Sequence, residues 1–300
     1  KSKYVTEAIK YVKKNFPRNY GNADNLIFPI THKTSRKWLH NFFKVRFSKF
    51  GIYQDAIDQK NAFLFHSLLA PMINVGLLTA EEVYQDAIKY YQKNKSEVKI
   101  NNYEGFIRQL IGWREYQRFL YLFEANKMRK SNYFDHKEKL TSDWYTGNTG
   151  ILPVDTAIKQ AFKYGYLHHI QRLMVMSNIM NLMNFHPDQV YLWMMEFSCD
   201  SYDWVMVGNV YSMGMWADGG LTMRKPYFSS DNYILKMSNY PKGKWCDIWK
   251  SLYYYFLNQQ YTQLKKTPYV RNLSHWKKMS SKDQDKMTQL AKSTIKKLTR

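Results

Sequence analysis

Cysteine is nearly absent. Two residues, Cys199 and Cys246, in a chain of 300 exclude a disulfide framework and a four-thiolate metal centre, and they leave a reducing, intracellular compartment as the default. Acidic residues are scarce as well: 24 Asp and Glu face 45 Lys and Arg, a formal net charge of +21. Such a field draws polyanions, either nucleic acid or an acidic membrane surface. No apolar run approaches the ~20 residues needed to span a bilayer, and the opening KSKYVTEAIK lacks a signal-peptide core, so a soluble chain is expected. The opening also lacks an initiator Met and falls within an amphipathic helix, which reads as a fragment. A GxxxxGKS phosphate loop, a GxGxxG after a strand and a GxSxG elbow are all missing, which removes the ATPase, Rossmann dehydrogenase and α/β-hydrolase readings. No repeat recurs at a solenoid period.

What the chain does hold is apolar and aromatic. Hydrophobic residues make up 45% and aromatics 17%, as 17 Phe, 9 Trp and 25 Tyr, enough apolar surface to fold. The length allows about two domains, but no shift of composition marks a second one, and a single all-helical domain is predicted. Tyr4, Val5, Ile9, Val12 and Phe16 recur at helical spacing, and FPRNYGNADN then breaks the pattern. Thr34 or Ser35 is the expected cap of a helix through WLHNFFKVRF that Gly51 ends. Thr79, with Glu81 and Glu82 behind it, starts another. Phe106, Leu110, Trp113, Tyr116, Leu120 and Phe123 step by three and four, which predicts one long helix over 104–126. VDTAIKQAFKYG, LHHIQRLMVMSNIMNLMN and DQVYLWMMEF read as three more. Residues 208–245 mix Gly, Pro and aromatics without period, and a long ordered loop is expected there; such loops are usually functional. The basic end from Lys265 to Arg300 reads either as a solvated helix or as a polyanion contact.

Three constellations could carry chemistry. In GYLHHIQR a helix puts His168 and Arg172 on one face and turns His169 away; neither histidine has the partner spacing of a metal motif, and hydrogen-bonded interface histidines are the plainer reading. Asp200, emerging after the apolar YLWMMEF, needs a partner, and Arg172 is the candidate; the pair is either scaffolding or a charge and an acceptor beside a bound heterocycle. Trp113, Trp144, Trp193, Trp204 and Trp216 either form plain core or relay single electrons. From the residues alone, the simplest function is nucleic-acid binding.

Six stretches, in order, add a resemblance: FGIYQDAI, LFHSLLAPMINVGLLTAEEV, FIRQLIGWREYQR, GNTGILPVDTAIKQAFKYGYLHHIQRLM, DSYDWVMVGNVYSMGMWADGG and KPYFSSDNYILKMSNY. Over nearly the whole chain to about Leu257 the sequence resembles the flavin-binding domain of the cryptochrome/photolyase superfamily, and most of all its bacterial iron-sulfur cryptochrome and (6-4) photolyase branch. The resemblance implies an all-α, photolyase-type FAD-binding domain. It divides the chain into a linker and entry helix over 1–28, following an N-terminal α/β antenna domain that this sequence lacks, then a helical FAD- and DNA-binding domain over 29–262 and a basic segment over 263–300. FHSLLAP takes the place of a phosphate-cradling stretch, so Ser67, Leu68 and Leu69 are expected at the FAD pyrophosphate, a site suited to helix-terminal amides, with Tyr53 reaching toward the same phosphates. Gln109 and Arg114 are expected to flank the flavin, and Trp113 to border a DNA lesion. Arg172 and Asp200 match an ion pair over the isoalloxazine ring, and His169 matches the proton donor of (6-4) repair. Met206 stands where relatives face the flavin N5 with Asn or an acid, and a thioether cannot hold a proton; Asn209 remains a polar neighbour. Trp193 and Trp144 align with an electron route from flavin to surface, with Tyr233 as a participating tyrosine, although a tyrosine common after Trp193 is Met194 here.

Relatives also hold a four-iron cluster on four cysteines. Cys246 alone is near one of those places, so no cluster is expected, and Trp245 is expected to pack in its stead. The implied function is light-dependent DNA repair: reduced FAD donates an electron to a flipped-out pyrimidine photoproduct, the (6-4) type being favoured, by a carbon–carbon lyase acting as a monomer on UV-damaged DNA, in the cytoplasm, nucleoid or nucleus and away from membranes. Two alternatives stand beside it, a cryptochrome-type blue-light photoreceptor using the same FAD and a flavin-free helical nucleic-acid binder.

Overall fold

In the computed structural model, which describes residues 2–300, the chain is helical throughout. Pairing between extended segments is limited to isolated bridges among the described residues, such as Ile57 with Ser238 and Leu140 with Thr299, and no described helix is long and apolar enough to cross a membrane.

Helix α1 (Lys3–Asn15) is capped by Ser2, whose Oγ accepts from the Val5 N–H, and buries none of its residues. Helix α2 (His32–Val45) starts one turn earlier than Thr34 or Ser35 would place it. Thr31, in extended backbone, accepts from the Thr34 N–H and is the cap, while Ser35 is buried inside the helix. Helix α3 (Phe47–Tyr53) contains Gly51 rather than ending at it. The physical reason is helix packing: a Cβ on Gly51 would lie 2.6 Å from the Asn101 carbonyl oxygen and 2.8 Å from the Asn102 Cα of helix α6 (Ile100–Ile107). Between them come α4 (Ala70–Asn74) and α5 (Ala80–Lys93). At the start of α5, Thr79 and Glu82 form the reciprocal capping box that satisfies two orphan donors.

The helix expected over 104–126 is a rod from Ile100 to Arg129, in which a π-helical stretch (Arg108–Trp113) joins α6 to α7 (Arg114–Arg129). After α8 (Asp143–Thr146), α9 (Leu152–Tyr164) ends on Gly165, left-handed at φ 62. A second π-helical stretch (Gln171–Ser177) leads into α10 (Asn178–Leu182), followed by α11 (Pro187–Phe197) and α12 (Asp203–Val207). The expected long loop over 208–245 is irregular only from 215 to 230 and from 238 to 243. It opens with a third π-helical stretch (Gly208–Gly214), contains α13 (Asp231–Met237) and runs into α14 (Lys244–Gln259). Two of its glycines answer to packing: a Cβ on Gly208 would lie 2.1 Å from Gln117 Oε1, and one on Gly214 would lie 2.8 Å from Ser177 Oγ, whereas Gly219 and Gly220 are left-handed at φ 68 and 93 in the turn that follows. Helices α15 (Tyr261–Leu264), α16 (Val270–Lys278) and α17 (Ser281–Leu298) complete the order.

Two large apolar cores result, with a small third one of Leu120, Met128, Val207 and Tyr211. One, rich in Phe, joins Leu39, Phe42, Phe43, Phe47, Phe50 and Phe106 from α2, α3 and α6. The larger one gathers α9 to α14 around Trp144, Trp193, Phe185 and Trp249, and also takes in Leu264, Leu273, Ala291 and Leu298 from the basic end. Trp245 is buried against Tyr240 and Trp249.

Candidate functional site

A cleft of about 410 Å³ opens along the seam between the two cores. Phe50, Leu69, Phe106, Leu110 and Tyr166 come from the Phe-rich core, and Leu167, Met194, Met206 and Val210 from the larger one. All three π-helical stretches reach it: Gln109 and Trp113 from the first, Arg172 and Leu173 from the second, Asn209 and Met213 from the third. A π turn inserts one residue into the helical register and re-aims the side chains around it, and such turns gather at functional sites. Sequence periodicity gave no sign of them.

The polar centre of the cleft is an ion pair. Arg172 Nη2 donates to Asp200 Oδ1 at 2.7 Å, with the two side chains 14% and 11% exposed. Arg172 Nε donates to the Leu167 carbonyl at 2.7 Å, and its guanidinium lies 5.5 Å from the ring centroids of Tyr166 and Phe197. The Asp200 carboxylate also accepts from Ser198 Oγ, and Asn74 Nδ2 donates to the Asp200 carbonyl at 3.0 Å. Both members of the pair thus have further hydrogen-bond partners, as a buried charge pair requires. Across the cleft the Arg114 guanidinium covers the Trp204 ring at 5.1 Å, and burial lowers its pKa.

Around FHSLLAP the backbone is strained. Leu68 is buried in the left-handed region at φ 57, a conformation costly for a branched side chain. Ser67 and Leu69 on either side line the cleft, and Trp38 Nε1 donates to the Ser67 carbonyl at 2.9 Å.

At one end of the cleft stand three histidines. His169 lines it, with its side chain 46% exposed, and its Nε2 is 3.2 Å from Asp55 Oδ1; this hydrogen bond holds the Asp55 carboxyl below its ordinary range. His66 and His168 lie beneath, buried and stacked at 4.5 Å with planes 11° apart. Burial, with His169 beside it, pushes His66 down to about 3 despite the Phe63 and Gln54 carbonyls at its two ring nitrogens. Burial likewise lowers His168, whose ring nitrogens have no partner. The ring nitrogens of all three approach within 4.8 Å, but stacking runs the in-plane lone pairs of His66 and His168 side by side instead of toward one point.

Of the residues singled out in the sequence, the cleft brings together Ser67, Leu69, Gln109, Trp113, Arg114, His169, Arg172, Asp200, Met206 and Asn209. The others stand apart. Leu68 is buried behind the strained turn, and Tyr53 is 43% exposed with its ring 5.1 Å from Phe65. Trp193 and Trp144 are fully buried in the larger core, so Trp144 does not reach the surface. Tyr233 is half-buried and feels the Asp55 carboxylate; no ring contact among the described residues joins it to either Trp. Trp204, one of the five tryptophans noted in the sequence, also lines the cleft, whereas Asn74 and His66 belong to the site and carried no sequence signal, because their roles rest on partners distant in the chain.

The family model for the FAD binding domain of DNA photolyase matches residues 104–250. The chain is 35% identical over 311 residues to a (6-4) photolyase of Agrobacterium fabrum, an alignment covering 99% of this chain and 60% of that protein. It is 50% identical over 112 residues to an uncharacterized protein, R855, of Acanthamoeba polyphaga mimivirus, covering 37% of this chain and 90% of that one. Among solved structures, a Synechocystis cryptochrome superposes with a TM-score of 0.54 at 16% identity, over 90% of this chain and 56% of that one. A class III photolyase from Agrobacterium tumefaciens gives 0.56 at 18% identity, over 90% and 50%. These two share the fold. The chain spans 50–60% of the length of the photolyases and the cryptochrome compared here.

Proposed function

The chain belongs to the cryptochrome/photolyase superfamily, and on that premise we propose that it repairs UV-damaged DNA in light, with FAD in the seam cleft and a (6-4) photoproduct as the lesion. The residues present fit the group. The cleft pairs an apolar wall of Met206, Leu173 and Trp204 with amides of Asn74, Gln109 and Asn209 and a buried cation–carboxylate pair, a donor set suited to a flat heterocycle with polar edges. Arg172 and Asp200 would hold the isoalloxazine, and Ser67 with the strained backbone at Leu68 would hold the pyrophosphate.

When bound, reduced and excited by blue light, FAD supplies an electron to the lesion. The protein's part is to bind, orient and move protons. Arg172 favours the electron-rich form of the ring by its charge. Trp113 offers a ring face for the flipped-out base, which every base can stack on. His169, the half-exposed member of its cluster, is placed to give a proton at its ring nitrogen, with Asp55 fixing the ring. The +21 charge supplies phosphate affinity with a steep salt dependence. We infer that no iron-sulfur cluster is bound, since such clusters take four cysteine ligands and the chain has two.

The observation that carries the repair reading is His169 on the same cleft as the buried Arg172–Asp200 pair. A second reading, a blue-light photoreceptor, draws on Met206, which lines the cleft and offers no exchangeable proton. Incubating the flavin-loaded protein with an oligonucleotide carrying one (6-4) photoproduct, in blue light and in darkness, separates them. Restoration of the parent strand in light alone supports repair. An unchanged lesion beside light-driven flavin reduction supports sensing, and a colourless protein that takes up no flavin rejects both.

A further inference from the structure

Met194 and Phe197 stand on the last turns of α11; Met194 lines the cleft, and Phe197 lies 5.5 Å from the Arg172 guanidinium. Behind them, Trp193 is 4.6 Å from Phe197, centroid to centroid. From Trp193 the structure offers two continuations, which part at the Trp144–Tyr145 peptide. Trp193 Nε1 donates to the Trp144 carbonyl at 2.8 Å, and that carbonyl belongs to the peptide unit leading into Tyr145.

The first continuation, Trp144 itself, ends inside the protein. Its indole is fully buried, packed 4.9 Å from the buried Phe185, and its N–H is committed to the Leu298 carbonyl at 2.9 Å. A main-chain carbonyl is a poor base, so a hole there has neither solvent nor a proton acceptor. The second continuation reaches water. The Phe162 ring lies 6.2 Å from Trp193, 6.0 Å from Tyr145 and 5.9 Å from Tyr20. Tyr145 and Tyr20 stack at 5.0 Å with planes 20° apart, Tyr145 half-buried and Tyr20 52% exposed. Burial raises the Tyr145 phenol, and the charge of the exposed Glu196 carboxylate raises it further.

We propose that the stacked Tyr145–Tyr20 pair is the surface end of the electron path out of this cleft, and that one phenol of the pair gives its proton to water. The proposal rests on the reading that the cleft holds FAD. Its balance is one electron and one proton. An electron leaves Trp193 for light-excited FAD, and Tyr145 refills Trp193 through the shared peptide and Phe162. The pair loses one phenol proton to water as it loses the electron, so a neutral phenoxyl remains, with its spin shared between Tyr145 and Tyr20. An external thiol then returns a hydrogen atom to the phenoxyl oxygen and becomes a thiyl radical. A phenol gives up an electron readily only where a base takes its proton, and Tyr20, 52% exposed, puts the pair within reach of water, which the fully buried Trp193 and Trp144 lack.

The test uses the full chain loaded with FAD, illuminated with blue light and frozen for electron paramagnetic resonance, with transient absorption alongside. The wild-type protein is expected to give a tyrosyl signal. The double variant Tyr20→Phe with Tyr145→Phe, which keeps the ring packing, is expected to lose it and leave a short-lived tryptophan radical. Circular dichroism confirms that the variant folds. A protein that binds no flavin overturns the FAD reading. A yellow double variant that keeps the tyrosyl signal overturns this proposal and leaves the FAD reading standing.

Discussion

Arg172 and Asp200, 28 positions apart, meet at 2.7 Å on the wall of the seam cleft, almost shut off from water. Removing one partner of a buried pair strands the other charge and typically destabilises by about 3–5 kcal/mol, whereas replacing both by apolar residues is often neutral. Arg172→Met and Asp200→Leu are each expected to lower the unfolding free energy by roughly 3 kcal/mol, and the double variant to recover most of that loss. If the pair tunes a flavin, the double variant still loses its yellow colour. Denaturant titration with flavin absorbance reads both quantities, and a stable double variant that keeps full flavin occupancy would reduce the pair to scaffolding.

Gly51 marks where α3 and α6 touch backbone to backbone. A Cβ there would meet the Asn101 carbonyl at 2.6 Å and the Asn102 Cα at 2.8 Å, atoms that cannot rotate away. Gly51→Ala is expected to destabilise by about 1–3 kcal/mol through overpacking, although alanine is the better helix former by ~1 kcal/mol. A thermal scan decides the sign. A rise in Tm would show that the two helices separate at no cost.

The same glycine shows why some of the fold was legible in sequence and some was not. Helical period and the Thr79 cap are local signals, and the all-α class followed from such signals. Gly51 and Gly208 look like breakers to a local reading; their reason is a neighbour about fifty or ninety residues away, Asn101 and Gln117. The site divides along the same line. Arg172 and Asp200 could be paired because a carboxylate after an apolar helix needs a cation. Asn74 and His66 enter through tertiary contact alone. The family resemblance located Trp144 on an electron route, but its burial under Leu298 depends on how α17 folds back, which no motif records.

That return of α17 supplies a further prediction. Leu298 is fully buried in the larger core, and its carbonyl accepts from Trp144 Nε1 at 2.9 Å. Leu298→Ala is expected to cost about 2–5 kcal/mol, the range for a truncated core leucine, and to shift tryptophan emission to the red as Trp144 meets water. A substitution in a solvated basic tail would change stability by no more than ~0.5 kcal/mol. A null effect on Tm would return α17 to the surface and leave polyanion contact as the reading for its lysines.

Acid should unfold this protein sooner than its carboxylates alone would. Burial lowers three histidines, His66 to about 3, His136 to about 4 and His168 in the same direction, against an unfolded value near 6.5. Their folded values are depressed, so below pH ~6.5 the unfolded chain binds protons that the folded one does not, and stability falls as pH falls. Each histidine contributes on the order of 1 kcal/mol per pH unit between pH ~6.5 and its own folded value, and nothing above that window. The carboxyls held low by partners, Asp55 and Asp203 among them, add to the loss only below pH ~4. Unfolding free energies at pH 7.5, 6.0 and 5.0 are therefore expected to be flat at first and then to drop by several kcal/mol. His136→Phe keeps the contact with the Phe134 ring, 5.5 Å away, and should flatten that slope by about one histidine's share. An unchanged slope in His136→Phe would mean that the buried ring takes up its proton without unfolding.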